Sequence, residues 1–236
     1  MKEIGLYTDP NRKRNNASQS EIPKIIKKDN NLIITGYQNF CIDNKKNLFP
    51  LDERLKLKSL KIGALIKNLL QIGTTLNDIG CNSGFFSLLA HNIGYKKINS
   101  VDHDEEYINI LKRILQEHRF NIIPFHRKSS DFLEKADITI ALSLIHWIYS
   151  CTDSIGSIDI ILNHFSKITK KILIIEWIDP VDVGIMSLGH IYFNSHIHKD
   201  KYELQTFLDA ASNYFSKIEL VSISNTKTRK IFLLWK

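Results

Sequence analysis

Leu76-Asn77-Asp78-Ile79-Gly80-Cys81-Asn82-Ser83-Gly84-Phe85-Phe86-Ser87 is the stretch on which the fold turns. Leu76 to Ile79 is short and apolar, as a buried strand is, and Gly80 and Gly84 mark a tight turn. The run through Leu88, Leu89, Ala90 and His91 then predicts a helix. Ile98-Asn99-Ser100-Val101 predicts a second strand, ending in Asp102-His103-Asp104. A strand, a glycine turn, a helix, a second strand and an acid at its end together predict a nucleotide-type binding unit. Asp104 suits the N-cap of the helix that follows.

Upstream, Leu55, Leu57, Leu60, Ile62, Ile66, Leu69 and Leu70 have helical spacing and predict one long helix, broken or bent near Gly63. Phe49-Pro50-Leu51-Asp52-Glu53-Arg54 reads as its entry, and Gly73-Thr74-Thr75 as its end. Asn31 to Tyr37 reads as a short strand or extended segment. Asp9 to Asn16 has no hydrophobic period and reads as a loop or arm, in which Arg12, Lys13 and Arg14 form a basic cluster.

Downstream, Tyr107, Ile108, Leu111, Ile114 and Leu115 share one helical face between Glu105 and about His118. Asn121-Ile122-Ile123-Pro124-Phe125 is a third strand, and Pro124 argues against a central position for it. Ala136 to Leu142 and Lys171 to Trp177 are nearly continuous apolar strands, as strands buried on both faces are. A helix lies between them, from Ile155 to Ile168. Lys201 to about Phe215 is an amphipathic helix. Ile218 to Ile223 and Arg229 to Trp235 are strands joined by the polar turn Asn225-Thr226-Lys227-Thr228, so they are antiparallel neighbours. Alternating strands and helices call for a mostly parallel sheet with helices on both faces.

The chain has 236 residues, 43% hydrophobic and 24% charged, as expected of a globular protein with one well-buried domain. No apolar run is long enough for a membrane span, and Met1 to Gly5 does not begin a signal peptide. Cys41, Cys81 and Cys151 lack metal-type spacing and are read as reduced thiols, which places the protein in the cytoplasm. The net charge of +7 permits an anionic partner. The lysines are scattered rather than gathered in a block interleaved with aromatics, which favours a solvated basic surface.

Asp78-x-Gly80-x-x-x-Gly84 after a strand, the acid Asp102 ending the next, and the terminal hairpin resemble the class I S-adenosylmethionine-dependent methyltransferases. The resemblance runs over residues 50–236. It implies a Rossmann-like α/β three-layer sandwich whose seven-stranded sheet is parallel except at its C-terminal strand. It leaves residues 1–49 as an N-terminal arm and substrate-side segment. The implied cofactor is S-adenosyl-L-methionine. The turn departs from G-x-G-x-x-G, which sets NAD and FAD aside. Gly80 and Gly84 are expected to admit close backbone approach to the ligand, and the N–H groups at the helix start to favour its carboxylate. Asp78 matches the family's first acid, near the donor's amino end. Asp102 is expected to accept from both ribose hydroxyls, and Asp131 to meet the adenine amino group with Phe132 beside the ring. Cys81, Asn82, Phe85, His103, Ser130 and Ser143 complete the implied cofactor contacts.

Methyl transfer needs an aligned acceptor, and an oxygen acceptor also needs a base. The carboxyl ends of the central strands select Ser143, His146 and Trp147, then Glu176, Trp177 and Asp179. His146 is a base by virtue of its titration range, or else a packed or capping histidine. Glu176 either holds and deprotonates an acceptor or satisfies loop N–H groups. His190, His196 and His198 lie between Gly184 and Asp200 without a completing acid or cysteine, so no metal is expected. That segment reads as a loop over the site carrying Tyr192 and Phe193, or as ordinary surface.

Ile175-Glu176-Trp177-Ile178-Asp179-Pro180-x-Asp182 is similar to nodulation-protein-like methyltransferases, which implies a small or glycan acceptor. Leu142 to Ile148 looks like the equivalent stretch of RNA-5′-phosphate capping methyltransferases, which implies RNA. The leading expectation is O-methylation of a small or carbohydrate-like acceptor. An RNA methyltransferase and a non-catalytic protein keeping the cofactor fold are the alternatives, the oligomeric state being left open.

Overall fold

The computed structural model describes residues 22–151, 157–186, 199–224 and 226–236. The basic cluster at Arg12 to Arg14, the histidines and aromatics between His190 and His198, and Asn225 lie outside the described residues. The chain divides into two compact units that meet within one strand, between Ile138 and Thr139.

The first unit begins with an antiparallel sheet of four strands in sequence order: β1 (Lys24–Lys28), β2 (Asn31–Thr35), β3 (Phe40–Ile42) and β4 (Leu48–Pro50). Asp29 and Asn30, with φ of 50° and 62°, join β1 to β2. Two left-handed residues are what a tight hairpin between twisted strands requires. Leu32, Ile34, Phe40 and Ile42 are buried and alternate with more exposed neighbours, so the sheet has one core face. Phe49-Pro50 therefore belongs to a strand, not to a helix entry as the sequence suggests.

Helix α1 (Glu53–Leu69) starts at Asp52, whose carboxylate accepts the Leu55 N–H at 2.7 Å. It is continuous through Gly63, against the expected break. A Cβ at Gly63 would lie 3.5 Å from Leu89, so the glycine sits at a helix contact rather than at a bend. Strand β5 (Thr75–Ile79), helix α2 (Phe85–Ile93), strand β6 (Lys97–Asp102), helix α3 (Glu105–Glu117) and strand β7 (Ile122–His126) follow. β5 pairs parallel with β6, and β6 with β7. Pro124 stands on β7, the last strand of its sheet, where a missing N–H is tolerated. Asp104 caps α3 by accepting the Glu106 N–H at 3.0 Å.

Strand β8 (Ala136–Ala141) leads into the second unit. There lie α4 (Ile145–Cys151), α5 (Ile158–Ile168), β9 (Thr169–Ile178), the four-residue α6 (Val183–Met186), α7 (Leu204–Ser212), β10 (Lys217–Ile223) and β11 (Arg229–Trp235). β11 runs antiparallel to both β9 and β10. The strand order of the main sheet is β10-β11-β9-β8-β5-β6-β7. A seven-stranded, mostly parallel sheet with an antiparallel strand from the C-terminal hairpin is the Rossmann-like arrangement the residues imply. No helix among the described residues is long and apolar enough to cross a membrane.

Candidate functional site

Between β5 and α2 the backbone enters the left-handed region three times, at Gly80 (φ 75°), Asn82 (φ 51°) and Gly84 (φ 86°). The resulting loop is pinned to the end of β6. The Gly80 and Cys81 N–H groups both donate to the Val101 carbonyl, at 2.8 and 3.0 Å, and the Gly84 N–H donates to the Cys81 carbonyl at 2.9 Å. Gly84 is required for a reason beyond the one expected of it. A Cβ there would lie 2.6 Å from Leu111 Cδ1, so its absence admits the packed side chain of α3. The expected helix-start N–H groups are also partly engaged, because Phe85 N–H donates to Gln38 Oε1 at 3.1 Å. Cys81 is buried, and burial, with the charges of Asp102 and Asp78, pushes its thiol well above the usual range. A protonated buried thiol is not a reactive group, so Cys81 serves the loop through its backbone.

Asp102 closes β6 with a carboxylate held from two sides. Oδ2 accepts the Asn82 N–H at 2.8 Å and Oδ1 accepts the Asp104 N–H at 2.9 Å. His103 Nδ1 lies 3.3 Å from Oδ1. Oδ1 thus faces both the Asp104 N–H and the His103 ring, while Oδ2 keeps an acceptor direction beyond its bond from Asn82. Ser83 Oγ, also in the glycine loop, is buried with no partner among the described residues.

Asp78, expected near the donor's amino end, turns inward. Ser87 Oγ donates to its Oδ2 at 2.6 Å, and Ser100 Oγ donates to Ser87 Oγ at 2.6 Å. Burial pushes the Asp78 carboxyl up to about 7, opposed by the bond from Ser87 and assisted by the charge of Asp102. Its place in the site is to tie β5 to α2 beneath the loop. Downstream, Ser129–Asp131 forms a single 3-10 turn in which Ser130 Oγ donates to Asp131 Oδ1 at 3.1 Å. Asp131 is exposed, whereas the Phe132 ring is fully buried and packs edge-on against Phe125 at 5.2 Å. The residue of this pair that reaches the surface is Asp131.

In the second unit, Ser143 follows β8 with φ 51°, a strained value for a residue with a Cβ. Its hydroxyl donates to Glu176 Oε2 at 2.7 Å. Glu176 is 2% exposed near the end of β9. His146 is buried in the first turn of α4, with its ring 5.5 Å from that of Trp147. Trp177 is a core residue: it stacks on Tyr202 at 4.3 Å and donates Nε1–H to Asp179 at 2.6 Å. Beyond β9, Arg229 donates to both oxygens of Asp182, and Lys230 pairs with Asp179.

Three residues that the sequence does not single out join the β2–β3 connection to α1, α2 and α3. They are Gln38, Tyr37, whose N–H donates to Tyr107 Oη at 3.1 Å, and Arg54, which donates to the Tyr37 carbonyl at 2.7 Å. Their partners are distant in sequence and no local period marks them.

No family model and no curated protein matches the chain. Solved structures do. Monomeric WbdD superposes with a TM-score of 0.57 and 19% identity over 81% of this chain and 43% of its own. WbdD is a bifunctional kinase-methyltransferase, and the chain thus spans less than half its length. Magnesium protoporphyrin IX methyltransferase (ChlM) of Synechocystis PCC 6803, with bound SAH, superposes with a TM-score of 0.53 and 13% identity over 79% of this chain and 88% of its own. The same enzyme with bound SAM gives 0.52 at 11% identity. The chain has the class I S-adenosylmethionine-dependent methyltransferase fold. In that fold the glycine loop and Asp102 stand at the carboxyl ends of β5 and β6, and Ser143 and Glu176 at those of β8 and β9, where open α/β sheets carry their ligands.

Proposed function

We propose that the protein is an S-adenosylmethionine-dependent methyltransferase that methylates oxygen on a small or carbohydrate-like acceptor. The observation that carries the donor assignment is Asp102, a carboxylate fixed by two backbone N–H groups beside a left-handed glycine loop. Such a group suits the hydroxyls of a ribose, since Oδ2 keeps an acceptor direction beyond its backbone bond. Asp131 would meet the adenine amino group, and the buried Ser83 hydroxyl is a further polar group at the loop. That ChlM has been crystallised with SAM and with SAH on the same fold supports the choice of donor.

When bound, S-adenosylmethionine supplies an electrophilic methyl carbon on a sulfonium. The chain's own part is to hold the donor, orient the acceptor and take its proton. Glu176 is the base of choice. Ser143 donates to one of its oxygens and so fixes the carboxylate plane, and the strained backbone at Ser143 marks a position maintained at a cost of about 1–3 kcal/mol. His146 is the second candidate for the proton.

Isothermal titration with S-adenosylhomocysteine tests the donor assignment. Binding is expected, with Asp102→Ala weakening it by about 1–3 kcal/mol as the hydroxyls lose their acceptor. Absence of both heat and thermal shift for the unaltered protein would overturn the assignment, and unchanged affinity in the variant would remove the ribose role of Asp102.

A further inference from the structure

Helix α1 has two apolar faces, and the core uses one of them. Leu55, Ile62, Ile66 and Leu69 are buried. Leu57 and Leu60 are 48% and 64% exposed. Each stands two residues from a buried position, about 200° around the helix axis, so both point away from the core. Ala64, four residues after Leu60, continues this outer stripe and is exposed. Leu51, in the turn ahead of Asp52, and Phe49, on the edge strand β4, add side chains 53% and 49% exposed just before the helix begins.

Cations border the stripe on both sides. Lys56, four residues before Leu60, and Lys67, three after Ala64, lie along one flank, and Lys61, four after Leu57, lies along the other. All three are exposed. The 17 residues of the helix hold five cations and one acid, Glu53, which pairs with Lys56 at 3.6 Å. A helix face turned only to water carries polar side chains at its centre. Here the centre is apolar and the charges form the rim.

Charge decides what such a face fits. A second copy seated α1 against α1 would set lysine rims against lysine rims, with Glu53 as the only acid of the helix to offset them. A partner helix would need acids along both of its flanks. An anionic lipid surface offers negative charge on every side of the stripe at once. Leucines can enter the boundary between headgroups and acyl chains while the lysine stems lie along it and their amines stay among the phosphates. Lysine suits this role, because a point charge on a flexible stem needs no fixed bidentate partner.

We infer that the outer face of α1 docks the protein on an anionic membrane surface, with Leu57 and Leu60 inserted and Lys56, Lys61 and Lys67 on the headgroups. This goes beyond the donor reading and does not depend on it, since none of these residues belongs to the glycine loop or to Asp102.

Flotation of the full chain with vesicles tests the inference. Binding is expected to vesicles of phosphatidylcholine and phosphatidylglycerol mixed about 7:3, and not to phosphatidylcholine alone. Lys56→Gln/Lys61→Gln/Lys67→Gln is expected to weaken binding by about 100-fold, at about fivefold per lysine. Leu57→Gln/Leu60→Gln keeps the charge and is expected to weaken it by about tenfold or more, with Tm not lowered. Should Tm fall, Leu60→Gln alone, at the more exposed position, carries the same test. A chain of net charge +7 could also be drawn to anionic vesicles with no docking face at all. Loss in the lysine variant with none in the leucine variant would show that case and overturn the inference. Absence of binding to the mixed vesicles overturns it too. If sedimentation then shows a dimer that the leucine change dissociates, the face belongs to a second copy instead.

Discussion

A carboxylate with 2% of its surface exposed, such as Glu176, is costly to bury as an ion unless its hydrogen bonds are made. Ser143 makes one of them, from a backbone conformation that few residues with a side chain adopt. Both positions were legible as candidates, since Ser143 follows and Glu176 lies near the end of a strand that reads as fully buried. Their mutual contact was not legible, because 33 residues separate them. Glu176→Gln keeps an acceptor for the Ser143 hydroxyl and removes the proton acceptor. Methyl transfer from S-adenosylmethionine to a panel of monosaccharide and phenol acceptors is expected to fall by about 10²–10⁴-fold, with S-adenosylhomocysteine affinity retained. Equal turnover in the variant would return the proton to His146.

At the scale of elements, the glycine loop shows how much one short motif can specify. Its left-handed residues, its bonds to Val101 and its contact with α3 are all consequences of where Gly80 and Gly84 stand. Gly84→Ala would force a Cβ into φ 86° and to within 2.6 Å of Leu111. Strain and overpacking at about 1–3 kcal/mol each predict a loss of about 2–6 kcal/mol in urea unfolding. A second change, Leu111→Ala, should relieve the overpacking but not the strain, so the double variant is expected to lose less than the sum of the two single changes. Strict additivity would show that the packing argument is wrong.

The elements easiest to read were those with sustained periodicity: α3, β8, β9 and the β10–β11 hairpin. The N-terminal sheet escaped because its signals are short. β3 and β4 have three residues each, and β1 is Lys-Ile-Ile-Lys-Lys, with no alternation. Asp29-Asn30 is a weaker hairpin signal than a pair ending in glycine. Gln38 was illegible for a related reason, since its partner Phe85 lies 47 residues away on another element. The glycine loop could be read because it is local, whereas the bond from Gln38 to the helix after it is not.

For the whole molecule, two aspartates with opposite shifts shape the dependence of stability on pH. Asp182 is pushed up by burial, but the bonds and charge of Arg229, with the bond from Thr228, outweigh this and hold it at about 2. Its folded value lies below the unfolded one, so its contribution is complete above pH 4 and is lost as pH falls through about 2. At about 1.4 kcal/mol per pH unit, that contribution is roughly 2 kcal/mol. Asp78 acts in the other direction. Its folded value of about 7 lies above the ordinary 3.8, so between these values the folded chain binds more protons than the unfolded one. Stability must then fall as pH rises, by up to about 4 kcal/mol once pH exceeds 7. Against a typical total of about 5–15 kcal/mol this is a large term. The summed contribution of these two groups is therefore greatest near pH 4–5. Asp78→Asn keeps an acceptor for the Ser87 hydroxyl and removes the titration, so subtracting the two unfolding curves isolates this one group. Urea unfolding at pH 4.5, 6 and 7.5 is expected to show the unaltered protein losing stability across the series relative to the variant, with the gap opening between pH 4.5 and 7.5. Parallel curves would mean that Asp78 is ionised in the folded protein at all three values, and the buried chain from Asp78 through Ser87 to Ser100 would then have to hold a charge rather than a proton.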